Sequence, residues 1–514
     1  MCGFLVYIPI QKKKYDKDLL INSSKSLSHR GPDADSFFIT NNGSFFYHYR
    51  LSIIDNSHLS NQPFISKCKR YVLCFNGEIY NYKFLINKFV SKEIIRGDTQ
   101  LLMYLLINYS TENFLNEIEG MFSFVFFDIY TNKFIAARDR FGIKPLYYVL
   151  NNDEAFFCSE PHPIAAIKEF KFDEISLKEI EKFRRPTPGY SFYKNVLECL
   201  PGYFISNKYF QRWNGSSPEI SSEEFKQEEL VERIKKVFSL NTVGDICHTA
   251  FQSGGIDSTL VSLFTKPDKL YTVGIKGDNE IEQSIKIAQF LNLDIKSCEI
   301  DEKNFFSTLK DYLKIKKEPI SVPNEVLIFN LCRNMDTSHK FFITGEGADE
   351  IFFGYDRIFK WAFSNKKRNN IFIKEFFEKY SYSKTNFISA RFWEYCINLY
   401  KNSNNNLDFV EDFFLNFHLP GLLARVDRAA MAAGKESRVP FCSQTILNYM
   451  YRRSFQIRIK EDQAKYPLRE IIKENGLSFI LETPKIGFRA LLPGSDTKDT
   501  YRNMLIFYKD NFIL

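Results

Sequence analysis

The chain is poor in the patterns that several functional classes require. Only seven histidines occur in 514 residues, and none of the ten cysteines falls in a Cys-x-x-Cys pair, so no zinc ligand set assembles from spacing. The longest apolar stretches, such as Leu101–Ile107 and Met121–Phe127, stop far short of the roughly 20 residues of a membrane span. No secretory pattern is visible, because Met1-Cys2-Gly3-Phe4 leads quickly into Gln11-Lys12-Lys13-Lys14. A formal charge of +7 is thin for this length, and Lys12-Lys13-Lys14 and Lys366-Lys367-Arg368 are too short to line a nucleic-acid groove. Internal repeats are also lacking. These absences argue against metal-cluster, membrane and nucleic-acid roles, and the expectation is a cytoplasmic protein with reduced thiols.

What is present points to packed cores. Hydrophobic residues make up 44% and charged residues 25%, which excludes wholesale disorder. A chain of 514 residues is too long for one ordinary core, so two or three packed units are expected. Aromatics reach 16%, with 53 Phe and 28 Tyr against three Trp; this reads as compositional drift rather than as an aromatic ligand platform. Residues 1 to about 200 read as strand-rich. Tyr71–Phe75 is a β-type run ending at Asn76-Gly77, Met121–Asp128 and Lys133–Ala137 make a hairpin, and Asp98–Tyr109 has helical spacing. The texture changes over 205–228, around the loop cluster Asn214-Gly215-Ser216-Ser217-Pro218, and the domain boundary is placed there. Downstream, Ile246–Gln252, Leu270–Ile275, Ile295–Ile300 and Lys340–Thr344 alternate with helical segments at 258–266, 280–292 and 303–315, as a parallel sheet requires. Beyond about residue 355 the chain reads as almost wholly helical.

Two segments carry chemistry. Cys2 follows Met1 directly, and removal of the methionine would leave one residue with both a thiol and a free α-amine. An amine with a reference pKa of about 7.7–8.0 can take a proton near neutral pH, while the thiol attacks. Further on, Ser253-Gly254-Gly255-Ile256-Asp257-Ser258 follows an apolar run and precedes a helical pattern. Its glycines let backbone N–H groups converge on an anion at a helix N-terminus, and Ser253 and Ser258 add hydroxyl donors. Asp257 brings a carboxylate suited to holding Mg²⁺ against phosphate oxygens. No Gly-Lys-Ser/Thr closes the loop, so it is not a Walker loop. Thr344-Gly345-Glu346-Gly347-Ala348-Asp349-Glu350, with Gly354-Tyr355 behind it, ends another predicted strand, and both loops should meet at one cleft.

Around Cys2 the ordered set His29-Arg30-Gly31-Pro32-Asp33, Arg50-Leu51-Ser52-Ile53-Ile54-Asp55, Asn76-Gly77-Glu78-Ile79-Tyr80-Asn81 and Arg138–Tyr148 resembles the glutaminase domain of the asparagine synthetase family, class II glutamine amidotransferases. The Ser253–Ser258 loop looks like the pyrophosphate loop of ATP pyrophosphatases, and the Thr344–Glu350 segment resembles the synthetase half of the same family. The resemblance runs from Cys2 to about Phe488 and implies an α+β N-terminal nucleophile (Ntn) glutaminase domain over 2–205. An α/β Rossmann-like ATP-pyrophosphatase domain over 225–514, largely helical in its C-terminal part, would follow.

It also implies residue roles. Cys2 would attack the side-chain amide of glutamine, with Asn76 and the Gly77 amide as oxyanion hole. Arg50, with the adjoining Leu51, would clamp the glutamine carboxylate, and Glu78 and Asp98 would hold its amino-acid head. Phe251, Ser253, Gly254, Gly255, Asp257, Ser258, Val273, Thr344 and Gly345 would form the ATP site, although a core role suits Phe251 and Val273 equally. Asp257 and Asp349 would share Mg²⁺, Glu346 would manage protons as ammonia attacks, and Lys465 would act on the adenylated intermediate. The implied reaction makes asparagine from aspartate, glutamine and ATP through a β-aspartyl adenylate. Other carboxylates, sugar acids among them, are the alternative acceptors, an inactive regulatory relative is the alternative from another class, and a homodimer is compatible with the resemblance. Leu422–Met431, Arg438-Val439-Pro440-Phe441 and Pro484-Lys485-Ile486-Gly487-Phe488 match scaffold. Departures from the family pattern are Gln252 before the pyrophosphate loop, Ser159-Glu160-Pro161-His162, Lys435 and Cys442-Ser443.

Overall fold

A computed structural model describes residues 2–11, 15–91, 93–207, 209–213, 215, 217–276, 280–383 and 385–482, together with residues 504 and 508. Lys12-Lys13-Lys14, Asn214, Ser216 and the Pro484–Phe488 motif lie outside the described residues.

The amino-terminal half stacks two six-stranded sheets between helices. In the first sheet the Cys2–Pro9 strand lies between Phe45–Arg50 and Glu154–Cys158; in the second, Tyr71–Ile79 pairs with Gly120–Asp128. The two-residue alternation explains why these strands lack a polar face. Phe4, Val6 and Ile8 point between the sheets toward Val72, Cys74, Val125 and Phe127. Leu5 and Tyr7 point the other way, against Leu20, Ile164 and Ile167 of the helices Lys17–Lys25 and Pro161–Lys168. The outer face of the second sheet is covered by the Asp98–Asn108 helix through Leu101, Leu102 and Leu105. With both faces buried, every residue of the Cys2–Pro9 strand is buried.

One expectation is corrected here. The strand beginning at Tyr71 does not stop at Asn76-Gly77; pairing continues to Ile79 in register with Gly120. Gly77 is needed for close approach rather than for a turn, since a Cβ there would fall 2.1 Å from the Met121 carbonyl oxygen.

The second half carries a five-stranded, all-parallel sheet in the order Ile295–Ile300, Lys269–Ile275, Thr249–Phe251, Phe341–Ile343, Glu436–Arg438. Helices Ile256–Thr265, Glu280–Leu291 and Glu302–Lys316 fall where the apolar spacing predicts them. The tail beyond residue 355 is largely helical as expected, and the fifth strand is inserted among its helices. Glu436–Arg438 carries no apolar run; its two charged residues are buried and pair with each other, Arg438 Nε to Glu436 Oε1 at 2.6 Å. The aromatic wealth has a packing explanation: Phe359, Phe372, Phe376, Phe377, Phe392, Phe409 and Phe413 fill one core of the helical segments.

The halves are not beads on a string. Leu51, Ile53, Tyr80 and Met121 of the first share a core with Leu230, Phe238, Phe341 and Phe441 of the second. Among the described residues no helix is long and apolar enough to cross a membrane.

Candidate active site

Cys2 begins the central strand of the first sheet, opposite Arg50, and is 6% exposed. Its backbone nitrogen donates to Asn76 Oδ1 at 3.0 Å, a contact that joins the two sheets. Among the described residues the buried amide nitrogen Nδ2 of Asn76 has no hydrogen-bond partner, so a donor stands beside the thiol, as an oxyanion hole requires. Burial pushes the Cys2 thiol above its ordinary value, while the chain's terminal amine, the Leu51 backbone N–H and Arg50 draw it down.

The remaining first-half residues converge on the same place. Asp98 opens its helix and accepts from the backbone N–H groups of Ile79 at 3.1 Å and Thr99 at 2.7 Å. Burial nevertheless raises its carboxyl to about 6. Glu78, 4% exposed, is driven well above the usual carboxylate range by burial and by Asp98. The two carboxyls are hydrogen-bonded to each other, an arrangement that a cation placed beside them would stabilise. Arg50 is less free than the sequence suggests: Nη1 donates to Ser57 O at 2.7 Å and Asn61 Oδ1 at 2.8 Å, and Nη2 bonds the Asp55 carbonyl. It therefore ties down the 54–61 loop as well as facing Cys2.

In the second half, the strand order reverses direction between Thr249–Phe251 and Phe341–Ile343, and the crevice at their carboxyl ends is where α/β sheets bind ligands. Ser253, Gly254 and Gly255 lead from the first strand into the Ile256–Thr265 helix, with Gly254 at φ +74°. Gly345, leaving the second strand, passes so close that a Cβ would sit 2.7 Å from Asp257 Cβ and 3.0 Å from Ser258 N. The two loops are thus locked together by the absence of a side chain. Ser258 differs from its expected part as a phosphate donor: Oγ accepts from Ser253 N–H at 3.2 Å and Gln252 Nε2 at 3.2 Å and donates to Gly255 O at 3.1 Å. Its hydroxyl closes the loop.

Lys465 crosses from the far end of the chain into this crevice. Its Nζ lies 2.6 Å from Asp257 Oδ2 and 2.6 Å from Asp349 Oδ1, and only 6% of the residue is exposed. Burial works against its charge, but the two carboxylates outweigh burial and hold the ammonium above the ordinary lysine range. The geometry depends on Gly354, where a Cβ would meet Asp349 Oδ1 at 1.7 Å and Lys465 Cε at 2.4 Å. Asp257 and Asp349 therefore converge on one cation position, which suits a divalent ion shared with phosphate oxygens. Of the other expected ATP contacts, Phe251 stacks on Phe342 at 3.6 Å, and Val273 is buried in the same cluster; Thr344 N–H bonds Arg438 O at 2.9 Å.

Sequence reasoning missed a polar chain beside Glu346 and Asp349. Glu350 is 1% exposed, and its carboxyl is pushed up to about 8 by burial, then by Asp349 and Glu346. Tyr355 Oη donates to Glu350 at 2.9 Å and contacts His418 Nε2 at 3.0 Å, and Tyr380 Oη meets His418 Nδ1 at 2.7 Å. His418 lies 68 residues beyond Glu350 and its role has no local signal; it ends a π-helical turn, Phe414–His418, just before Pro420 of the Leu419–Met431 helix.

The departures from the family pattern also find places. Cys442 Sγ packs where a Gly347 Cβ would be, and Lys435 Nζ caps the carbonyls of Asp336 at 3.1 Å and His339 at 2.7 Å. Gln252 lies under the Ser253–Ser258 loop, donating to Ser258 and Thr259 and accepting from Ser262 Oγ at 2.7 Å. Gln252→Leu would remove three buried side-chain hydrogen bonds while leaving each hydroxyl its bond to a backbone carbonyl, so a loss of about 1–3 kcal/mol in denaturant unfolding is expected. A rise in the KM for ATP should accompany it; an unchanged midpoint and KM would show that the loop does not lean on this side chain.

Comparison with known proteins addresses the two halves as domains. A family described as "Glutamine amidotransferase domain" matches residues 1–213, and one described as "Asparagine synthase" matches residues 229–506. Asparagine synthetase [glutamine-hydrolyzing] 1 of Bacillus subtilis (strain 168) is 24% identical over 552 residues, covering 95% of this chain and 87% of its own. Asparagine synthetase [glutamine-hydrolyzing] 3 of the same organism is 25% identical over 525 residues, covering 92% and 84%. Among solved structures, the glutamine phosphoribosylpyrophosphate amidotransferase of B. subtilis covers 68% of this chain and 77% of its own at 12% identity, with a TM-score of 0.32. The asparagine synthase match alone spans more than half of the 514 residues, and this chain belongs to the asparagine synthase family.

Proposed function

We propose that the chain is a glutamine-hydrolysing asparagine synthetase, with one reaction centre in each half, 2–205 and 225–514. The observation that carries the reading is the convergence of Lys465 with Asp257 and Asp349 at the sheet's switch point, in a chain whose other half buries Cys2 beside the Asn76 amide.

In the first half, the Cys2 thiol loses its proton to the α-amine freed by methionine removal and attacks the amide carbon of glutamine. Asn76 Nδ2 and the Gly77 amide receive the developing oxyanion, the C–N bond breaks, and ammonia leaves with a thioester behind. Water then releases glutamate. An arriving substrate ammonium would ionise Glu78 beside Asp98, relieving the burial and the neighbouring carboxylate that hold the Glu78 carboxyl up. Arg50, held by the 54–61 loop, faces the substrate carboxylate.

In the second half, an aspartate oxygen of the β-carboxylate attacks the α-phosphorus of ATP and pyrophosphate leaves. A carboxylate resists ammonia until its oxygen becomes part of a leaving group, and adenylation supplies one. Ser253, Gly254 and Gly255 present the backbone to the phosphates, and Lys465 answers the charge that builds on phosphate and carboxyl oxygens. Asp257 and Asp349 would hold Mg²⁺, which when bound neutralises phosphate charge. Ammonia attacks the acyl carbon, AMP departs, and Glu346 takes up the proton. The buried interface between the halves keeps bulk water from the ammonia in transit.

Incubation with amide-¹⁵N glutamine, ATP, Mg²⁺ and aspartate should yield ¹⁵N-asparagine with one AMP and one pyrophosphate each, measured by mass spectrometry. AMP formed only with another carboxylate would reassign the acceptor. No labelled amide with any acceptor would overturn the reading.

A further inference from the structure

Between the two centres, the interface holds a closed set of charges. Arg30, Lys144 and Arg428 supply three cations and Glu160, Glu318 and Asp427 three carboxylates, none more than 5% exposed. Arg30 and Asp427 are its hub. Arg30 Nη2 lies 2.9 Å from Asp427 Oδ2 and Nη1 2.9 Å from Glu160 Oε1, while Lys144 Nζ lies 3.5 Å from the other Asp427 oxygen. Arg428 neutralises the rest, at 3.0 Å from Glu160 and 3.1 Å from Glu318. His29 and His162 also face Glu160, at 3.2 and 3.4 Å.

Arg30 does one thing more. Its Nε donates to the backbone carbonyl of Cys2 at 3.2 Å. Its stem lies flat along the same strand, where a Cβ on Gly3 would come within 3.0 Å of Arg30 Cβ and 3.1 Å of Cδ. This contact bears on the chemistry because a chain-terminal residue is tethered by one peptide bond only, and such residues fray. The angle ψ of Cys2 sets where its amine and thiol stand relative to the peptide plane. Beside the strand pairing with Arg50, two side-chain contacts hold that angle: Asn76 Oδ1 on the nitrogen and Arg30 Nε on the carbonyl oxygen. Asn76 and Glu160 belong to the glutaminase half, but the second carboxylate that aims Arg30, Asp427, comes from the Leu419–Met431 helix, 397 residues away in sequence.

We propose that Asp427 is a positioning residue for the glutaminase step: the synthetase half, acting through Arg30, sets the orientation of Cys2. The inference rests on the reading of Cys2 as nucleophile. A glutaminase aimed in this way is complete only when the two halves are docked.

Asp427→Asn in the full-length enzyme keeps the shape and removes the charge. The kcat for glutamine hydrolysis should fall about tenfold to a hundredfold, the size expected of a misplaced reacting group, with the KM for glutamine and ammonia-supported asparagine synthesis unchanged. Iodoacetamide labelling of Cys2, read by peptide mass spectrometry across pH, should change in rate and in midpoint. Asp427→Glu, which restores the charge, should recover part of the glutaminase rate, and it carries the test if the Asn variant is insoluble. Wild-type kcat and labelling in Asp427→Asn would overturn the proposal. So would a parallel loss of both activities in both variants, which marks a merely structural role. A wild-type enzyme that hydrolyses no glutamine would instead strike the reading of Cys2, and the labelling rates would still report whether Asp427 orients the thiol.

Discussion

Replacing Cys2 with alanine is expected to lower glutamine hydrolysis by at least about 10³-fold, the scale at which loss of a nucleophile registers, while ammonia-supported synthesis continues at the wild-type rate. The separation follows from what the side chain does. The backbone of Cys2 carries the structural contacts, pairing with Arg50, donating to Asn76 and accepting from Arg30. All of these survive in alanine, and the lost thiol leaves only a small gap in a buried strand. The adenylating centre shares no atom with it. The measurement is glutamate release from glutamine alongside AMP formation with ammonium as nitrogen source. Retained hydrolysis in the variant would remove Cys2 as the nucleophile, and loss of the ammonia reaction would mean that the two centres are not separable.

The complementary change is Asp257→Ala. Aspartate-dependent exchange of pyrophosphate into ATP should drop by about 10²–10³-fold, the range seen when one preorganised electrostatic contact is deleted, with either nitrogen source. Two effects combine in it. The substitution takes away one of the two carboxylates that converge on the cation position, and it releases Lys465 from a 2.6 Å contact so that the ammonium relaxes toward Asp349 alone. Glutamine hydrolysis in the same preparation should persist, which distinguishes a site defect from unfolding. Normal exchange would deny Asp257 its place in nucleotide handling. Removing Lys465 instead would leave two carboxylates facing each other with Asp257 largely buried, so that variant is expected to be the less stable of the pair.

Much of both centres was legible in the chain because their essential features are local. Gly254-Gly255 after an apolar run and before a helix forecasts the loop, since only glycine lets the backbone turn there at φ +74°. Cys2 at the start of a buried strand and Asp98 at the start of a helix are likewise short-range features. Elsewhere local reasoning misread the physics. Asn76-Gly77 looks like a turn, yet the glycine serves a close strand crossing. Ser258 looks like a phosphate donor, yet its hydroxyl is consumed by Ser253, Gln252 and Gly255. The Glu436–Arg438 strand gave no apolar signal, because a buried ion pair replaces the hydrophobic run that strand patterns rely on.

The amino-acid sequence by itself determined the family's two chemistries, the order of the halves and the glycine loop between strand and helix, for these follow from backbone freedom and side-chain type within a few residues. Tertiary packing decided which distant charges meet. Lys465 finds Asp257 across 208 residues, and Arg30 finds Asp427 across 397. No periodicity encodes such pairings, because a buried cation takes whichever carboxylate the fold brings to it, and the need for neutrality in a dry interface fixes the partner only once the surfaces have closed.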